Sequence, residues 1–157
     1  MVPPARVVDP GGRDGCRAPL PWDASPDHGW PGEPWLPWSP DPGSRNVASL
    51  RGDDRSILHL YRRVLAARRY SPALRDGAWQ ALGVGPAEAV LAYERRQGDD
   101  RRAVLVNFTS VPAQVDLAGS WVVDVDSEGE AEGEGFAGRV GGDQAVVLRP
   151  AERAPSG

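Results

Sequence analysis

Eleven of the 16 prolines lie before residue 46, and their spacing leaves no room for a regular element between them. Proline fixes φ and carries no N–H to donate, so it breaks helix interiors and is confined to the edges of sheets. Residues 1–46 are therefore expected to be loop. The same stretch holds four of the six tryptophans, Trp22, Trp30, Trp35 and Trp38. Disordered segments are poor in aromatic residues, and a structureless loop of this length is uncommon in a compact domain. The expectation is an ordered loop laid against another surface.

A helix follows. Ile57, Leu58, Tyr61, Val64 and Leu65 recur at the spacing of one helical face. Asp53 and Asp54 stand where they can cap its start, and Arg62, Arg63, Arg68 and Arg69 crowd toward its negative end. The helix is expected to stop near Tyr70, before Pro72. Fully burying each stripe residue stabilises by roughly 1.5–3 kcal/mol, a sum comparable to the about 5–15 kcal/mol that holds a whole domain together. Left uncovered, such a stripe seeks a partner.

From Gly77 onward the pattern changes to short runs between turns. Candidate strands are 79–82, 89–95, 103–108, 113–117, 121–126 and 144–149. Val104, Val106 and Phe108 alternate with Leu105 and Asn107, and Trp121, Val123 and Val125 with Val122 and Asp124, the period of a half-buried strand. Gly98-Asp99-Asp100 reads as a hairpin turn. With no helical pattern between strands to carry a crossover, the sheet is expected to be antiparallel. The fold class is mainly β: a small antiparallel β-sandwich preceded by one amphipathic helix and a long Pro/Trp-rich loop. The expected division is 1–76, 77–150 and a disordered tail at 151–157.

The net charge of −4 provides no basic field to gather phosphates, so no nucleic-acid partner is expected. No run approaches the roughly 18 apolar residues that suggest a membrane span. Cys16 is the only cysteine, and the Met1-Val2-Pro3-Pro4 start lacks the layout of a secretory leader. A cytoplasmic address without a membrane partner is the expectation.

Several features invite chemistry. Asp124, Asp126, Glu128, Glu130, Glu132 and Glu134 lie within eleven residues, and the run imitates the start of a calcium loop. Such a loop needs a Glu at its twelfth position, here Gly135, and flanking helices where this chain has strands. A solvated acidic hairpin loop is expected instead, with no metal. His28 and His59 have no companions at ligand spacing, and His59 is expected to be a partly buried packing residue. Cys16 has neighbouring arginines and no further sign of a nucleophile. There is no G-x-S-x-G elbow, and no cofactor motif leads to a cofactor expectation.

One string is more specific. Arg13-Asp14-Gly15-Cys16-Arg17-Ala18-Pro19-Leu20-Pro21-Trp22-Asp23 resembles the R-D-x-x-R-T-P-M-(Q/P)-W-D segment of the alpha-amylase family of glycoside hydrolases (family 13), in its alpha-glucosidase and oligo-1,6-glucosidase branch. The likeness continues through Pro34-Trp35-Leu36-Pro37, Asn46-Val47-Ala48 and Ser56-Ile57-Leu58. It then takes in Leu60-Tyr61-Arg62-Arg63-Val64-Leu65-Ala66-Ala67-Arg68-Arg69, Pro72-Ala73-Leu74 and Val104-Leu105-Val106-Asn107-Phe108. Ala18 and Leu20 stand where the family usually has Thr and Met.

The resemblance implies the last loop and helix of a (β/α)8 barrel followed by a C-terminal β-sandwich. Family members cleave or transfer α-linked glucose with retention, using an Asp nucleophile, an acid/base Glu and a further Asp on earlier barrel strands. No catalytic residue is therefore expected in this chain, which reads as a C-terminal fragment, inactive alone. The resemblance assigns Arg13 to the sugar in the cleaved position and Arg17 to the neighbouring sugar or to bracing the loop. Guanidinium forks suit both tasks, since they donate paired hydrogen bonds.

Two readings of these arginines are open: sugar binding, or pairing with Asp14, Asp23 or carbonyls to stiffen the loop. The tryptophans also have two. Trp22 and its neighbours form a stacking platform, or they bury against a barrel wall. The expected binding residues are Arg13, Arg17 and Trp22, and the expected partner is an α-glucosidic oligosaccharide, with a separate barrel chain as a further partner. A non-catalytic carbohydrate-binding or complementing subunit is the alternative function.

Overall fold

The computed structural model describes residues 12, 16–86 and 88–151. The chain divides into two compact units, Met1–His59 and Leu60–Gly157.

In the first unit the described residues before Asn46 form no α-helix and no strand, as the prolines require. Helix α1 (Val47–Arg51) then begins, an element the sequence pattern does not announce. Its cap is Asn46, whose Oδ1 accepts from Ser49 N at 2.9 Å while Nδ2 donates to the carbonyls of Pro42 and Gly43. The N–H groups of Val47 and Ala48, orphans at any helix start, donate to the carbonyls of Pro21 and Trp22 at 3.0 and 2.9 Å. The helix start and the Trp22 segment thus satisfy one another. Among the described residues the buried positions of this unit are Pro19, Pro21, Leu36, Asn46 and Ser56. Hydrogen bonds and proline stiffness organise this unit more than an apolar core does.

Helix α2 (Ile57–Tyr70) matches the expected span and end. Its start differs in detail. Asp53 Oδ1 accepts from Arg55 N at 2.9 Å, and Ser56 N donates to Asp53 O, so Asp53 shapes the turn before the helix. Near the other end Arg68 reaches past the helix to the Leu74 carbonyl at 2.8 Å. No residue of α2 is buried. Ile57, Tyr61, Val64 and Leu65 are exposed and Leu58 is half-buried, so the described residues leave most of the apolar stripe uncovered.

In the second unit α3 (Pro72–Asp76) follows at once. Pro72 marks the end of α2 as expected, but it also opens α3. Ser71 caps that helix through Leu74 N, and proline at the first position wastes no donor. The strands are β1 (Ala78–Ala81), β2 (Val90–Gln97), β3 (Asp100–Asn107), β4 (Ala113–Gln114), β5 (Trp121–Asp126), β6 (Arg139–Val140) and β7 (Ala145–Pro150). Five form one antiparallel sheet in the order β1-β2-β3-β7-β5, and β4 pairs with β6 as a separate ribbon. The antiparallel expectation holds. Strand β6 has no periodic signal at two residues, and β4 is shorter than its apolar run suggests. Gln97 pairs with Asp100, so the hairpin turn is Gly98-Asp99 and Asp100 belongs to the strand.

The core joins one face of the sheet, including Ala92, Ala103, Leu105, Val146 and Leu148, to Ala113, Val115 and Val140 from the ribbon region. Simple alternation fails in β5. Val123 pairs with Leu148 but Val125 pairs with Val147, because a β-bulge inserts Asp124 between them. Val125 therefore leaves the core face and Asp126, opposite Val146, joins it.

That shift takes Asp126 out of the expected solvated acidic loop, while Glu128, Glu130, Glu132 and Glu134 are exposed as that reading has it. Asp126 is fully buried and accepts from Glu128 N at 3.0 Å, Gln144 Nε2 at 2.7 Å, and the N–H groups of Glu130 and Ala131 at 3.2 Å. It folds the loop around itself. Asp124 instead faces Arg102 and Arg149 at 3.5 and 3.9 Å. Arg63, expected to serve the helix end, donates to Glu132 Oε1 at 2.7 Å.

Candidate functional site

The loop from Pro19 to Trp38 carries most of the residues singled out by sequence. Its backbone turns back on itself: Trp22 N donates to His28 O at 3.0 Å, and His28 N donates to Ser25 O. His28 (φ 52°) and Gly29 (φ 74°) are consecutive left-handed residues at the return. Glycine is needed at the second, since a Cβ there would lie 3.0 Å from Trp22 Cβ and 3.2 Å from Asp23 Oδ2.

Inside this turn the Ser25 hydroxyl lies between two carboxylates, Asp23 and Asp27, with Asp27 Oδ1 at 2.7 Å. Having one proton, it donates to one of them at a time. Asp23 also accepts from Ser25 N at 2.9 Å, and Asp27 Oδ1 from Gly29 N at 3.2 Å. The Ser25 hydroxyl first, and these N–H groups next, hold both carboxyls below the usual aspartate range. A general acid for glycoside cleavage needs the opposite shift. These carboxylates are acceptors, suited to orienting donors.

The tryptophans divide into two pairs of roles. Trp22 is 50% exposed and Trp35 61% exposed. The Arg17 guanidinium lies over the Trp35 ring, 4.7 Å from its centroid, a cation–π contact. Trp30 and Trp38 are half-buried and meet edge to face at 5.9 Å, with His28 edge-on to Trp38 at 4.7 Å. Trp30 Nε1 donates to Leu20 O at 2.7 Å. The loop thus leaves Trp22, Trp35 and Arg17 exposed.

Of the three residues chosen from sequence, Arg17 and Trp22 lie in this unit and Arg13 lies outside the described residues. Arg17 meets Trp35, and no ion pair between Arg17 and Asp23 is formed among the described residues; Asp14 also lies outside them. Sequence reasoning missed the Arg17–Trp35 pair, because seventeen intervening residues of irregular chain carry no periodic signal. His59 is half-buried as expected, with Nε2 at 3.2 Å from Arg51 O. No group of three or more metal-ligating side chains assembles among the described residues, and no helix among them is long and apolar enough to cross a membrane.

Residues 5–77 match the model of the alpha-amylase catalytic domain. Among curated relatives, a probable alpha-glucosidase of Rhizobium meliloti is 39% identical over 107 residues, covering 68% of this chain and 19% of its own length. The chain belongs to the alpha-amylase family. A glucan 1,6-alpha-glucosidase of Streptococcus dysgalactiae subsp. equisimilis is 33% identical over 135 residues, 81% of this chain and 25% of the relative. Among solved family structures, the trehalulose synthase of Pseudomonas mesoacidophila superposes with a TM-score of 0.75 at 27% identity, over 88% of this chain and 26% of that one. The isomaltulose synthase of a Klebsiella species gives 0.74 at 28% identity, with the same coverage. The chain spans about a fifth to a quarter of the length of these relatives.

Proposed function

We propose that these residues supply a sugar-facing rim loop and the C-terminal antiparallel domain of an alpha-amylase family enzyme acting on α-linked glucosides. The observation that carries this reading is the family match over residues 5–77, a region whose described part exposes Arg17, Trp22 and Trp35 together. In this reading residues 1–76 complete a barrel and 77–150 form a sandwich. Arg13 and Arg17 donate to sugar hydroxyls, and Trp22 offers its apolar face to a pyranose ring.

The 157 residues alone do not carry out cleavage. Retention needs two carboxyl groups about 5–5.5 Å apart across the scissile bond, one of them protonated at neutral pH. Asp23 and Asp27 are both held as ionised acceptors in a turn. The purified chain is expected to show no turnover of maltose, isomaltose or p-nitrophenyl α-glucoside above a control preparation. Turnover that survives removal of contaminating glucosidase overturns this reading. If a separately supplied barrel restores activity only on mixing, the chain is a complementing subunit.

The exposure of Trp22 and Trp35 supports a second reading, oligosaccharide binding without catalysis. It predicts saturable quenching of tryptophan fluorescence by malto- or isomalto-oligosaccharides, lost in Trp22→Ala and weakened in Trp35→Ala.

A further inference from the structure

A second feature of the same loop has no part in that assignment. Trp30, Trp38, Asp27 and Glu33, framed by Pro26, Pro31 and Pro34, line an open hollow of about 430 Å³. Its volume falls within the range of small-ligand sites, about 300–1,000 Å³. The hollow is built rigidly. Its prolines fix φ, Trp30 is anchored through Nε1 to Leu20 O at 2.7 Å, and Trp38 is held edge-on between His28 and Trp30. The chain there is further pinned by Trp30 N donating to Asp27 O at 3.0 Å. Such preorganisation lowers the entropic cost of binding.

The lining has two carboxylates and no cation. An anionic ligand is repelled. A neutral polyol is matched on both counts, since its hydroxyls donate to Asp27 and Glu33 and its C–H face covers an indole. We propose that this hollow is an additional binding site for one α-glucosyl unit of an oligosaccharide, with Asp27 and Glu33 as hydroxyl acceptors and Trp30 and Trp38 as the apolar wall. The proposal rests on the α-glucoside reading above and extends it to residues that the arginine motif does not include.

The test labels the 157-residue chain with 5-fluorotryptophan. The 19F signals are assigned by single Trp→Phe replacements and titrated with maltotriose and with isomaltotriose. The expected result is a saturable shift of the Trp30 and Trp38 signals in at least one series. Glu33→Gln and Asp27→Asn are expected to weaken it at least fivefold, while the Trp121 signal stays in place as a check on folding. Glu33 is exposed, so its replacement leaves the fold undisturbed.

Shifts at Trp22 and Trp35 with none at Trp30 and Trp38 overturn the inference and leave the proposed function standing. Shifts at Trp30 and Trp38 alone support the inference and count against the sugar role of Trp22. A response of Trp30 and Trp38 to tetramethylammonium but not to either oligosaccharide also overturns it, identifying the hollow as an aromatic cation site.

Discussion

The Ser71 hydroxyl donates to Asp100 Oδ2 at 2.5 Å across 29 residues of chain. The same oxygen accepts from Ala73 N at 2.9 Å, and the other carboxylate oxygen pairs with Arg102 Nη1. One carboxylate therefore ties the start of α3 to the first residue of β3 and neutralises an arginine whose side chain is largely buried.

Removing that carboxylate leaves the Ser71 hydroxyl and Ala73 N without this acceptor and takes from Arg102 one of its two carboxylate partners. Hydrogen bonds to a charged group are each worth about 1.5–3 kcal/mol, and coupled losses do not simply add. Asp100→Ala is expected to cost roughly 3 kcal/mol, read as a lower urea midpoint with an unchanged slope. Ser71→Ala, which leaves Asp100 its other donors, should cost about 1–2 kcal/mol.

Acid should reproduce the first of these losses. Burial, the largest single influence on Asp100, favours its neutral form, yet the bonds from Ser71 and Ala73 and the charge of Arg102 outweigh it and keep the carboxyl below the usual range. A depressed native pKa means that the unfolded chain takes up the proton first. The stabilisation is then complete above the unfolded value of about 3.9 and is lost as pH falls from there through the lower native value. Urea titrations between pH 7 and pH 2.5 should show that decline, and Asp100→Asn should flatten it.

Asp126 organises the acidic loop through four accepted hydrogen bonds in full burial. Asp126→Ala is expected to destabilise by roughly 2–4 kcal/mol, the range for unserved donors around a lost charged acceptor. Since Asp126 is committed to these donors and Asp124 faces Arg102 and Arg149, millimolar calcium should leave the melting temperature unchanged. A calcium-dependent rise in Tm would refute this account of the loop.

The exposed stripe of α2 and the buried sheet should respond in opposite ways. Tyr61→Ser and Leu65→Ser change residues that the described chain does not cover, so each should alter stability by no more than about 0.5 kcal/mol while reducing binding of a hydrophobic dye and slowing aggregation. Leu105→Ala, at a fully buried position, should cost about 2–5 kcal/mol. Equal losses at both places would mean that the stripe is covered in solution.

Gly29→Ala tests how the Trp22 turn is held. The left-handed conformation costs a residue with a Cβ roughly 1–2 kcal/mol, and here the added carbon meets Trp22 Cβ at 3.0 Å. The expected outcome is a displaced Trp22, seen as a shifted 19F signal and more rapid quenching by acrylamide, with the sheet's own urea transition little changed.

Much of this was legible from local pattern. The apolar stripe located α2, period-two runs located most of the sheet, and dense proline marked the irregular loop. What escaped lacks a repeating signal: α1, α3 and β6 are shorter than a dependable period, and Arg17 meets Trp35 through irregular chain. The choice of Arg17 and Trp22 depended on a recognisable motif, while the Trp30–Trp38 hollow had no signal beyond its tryptophans.

Sequence alone located the long helix, most of the strands and the irregular loop, because proline geometry and apolar spacing act between near neighbours, and its motifs pointed to the family. Tertiary structure decided which carboxylates are buried and which aromatic faces remain open. The bulge at Asp124 reverses the faces of β5, and a single inserted residue does that only once two strands are paired. Whether an acidic residue meets water, an arginine or a ring of N–H groups depends on that pairing, not on its sequence neighbours.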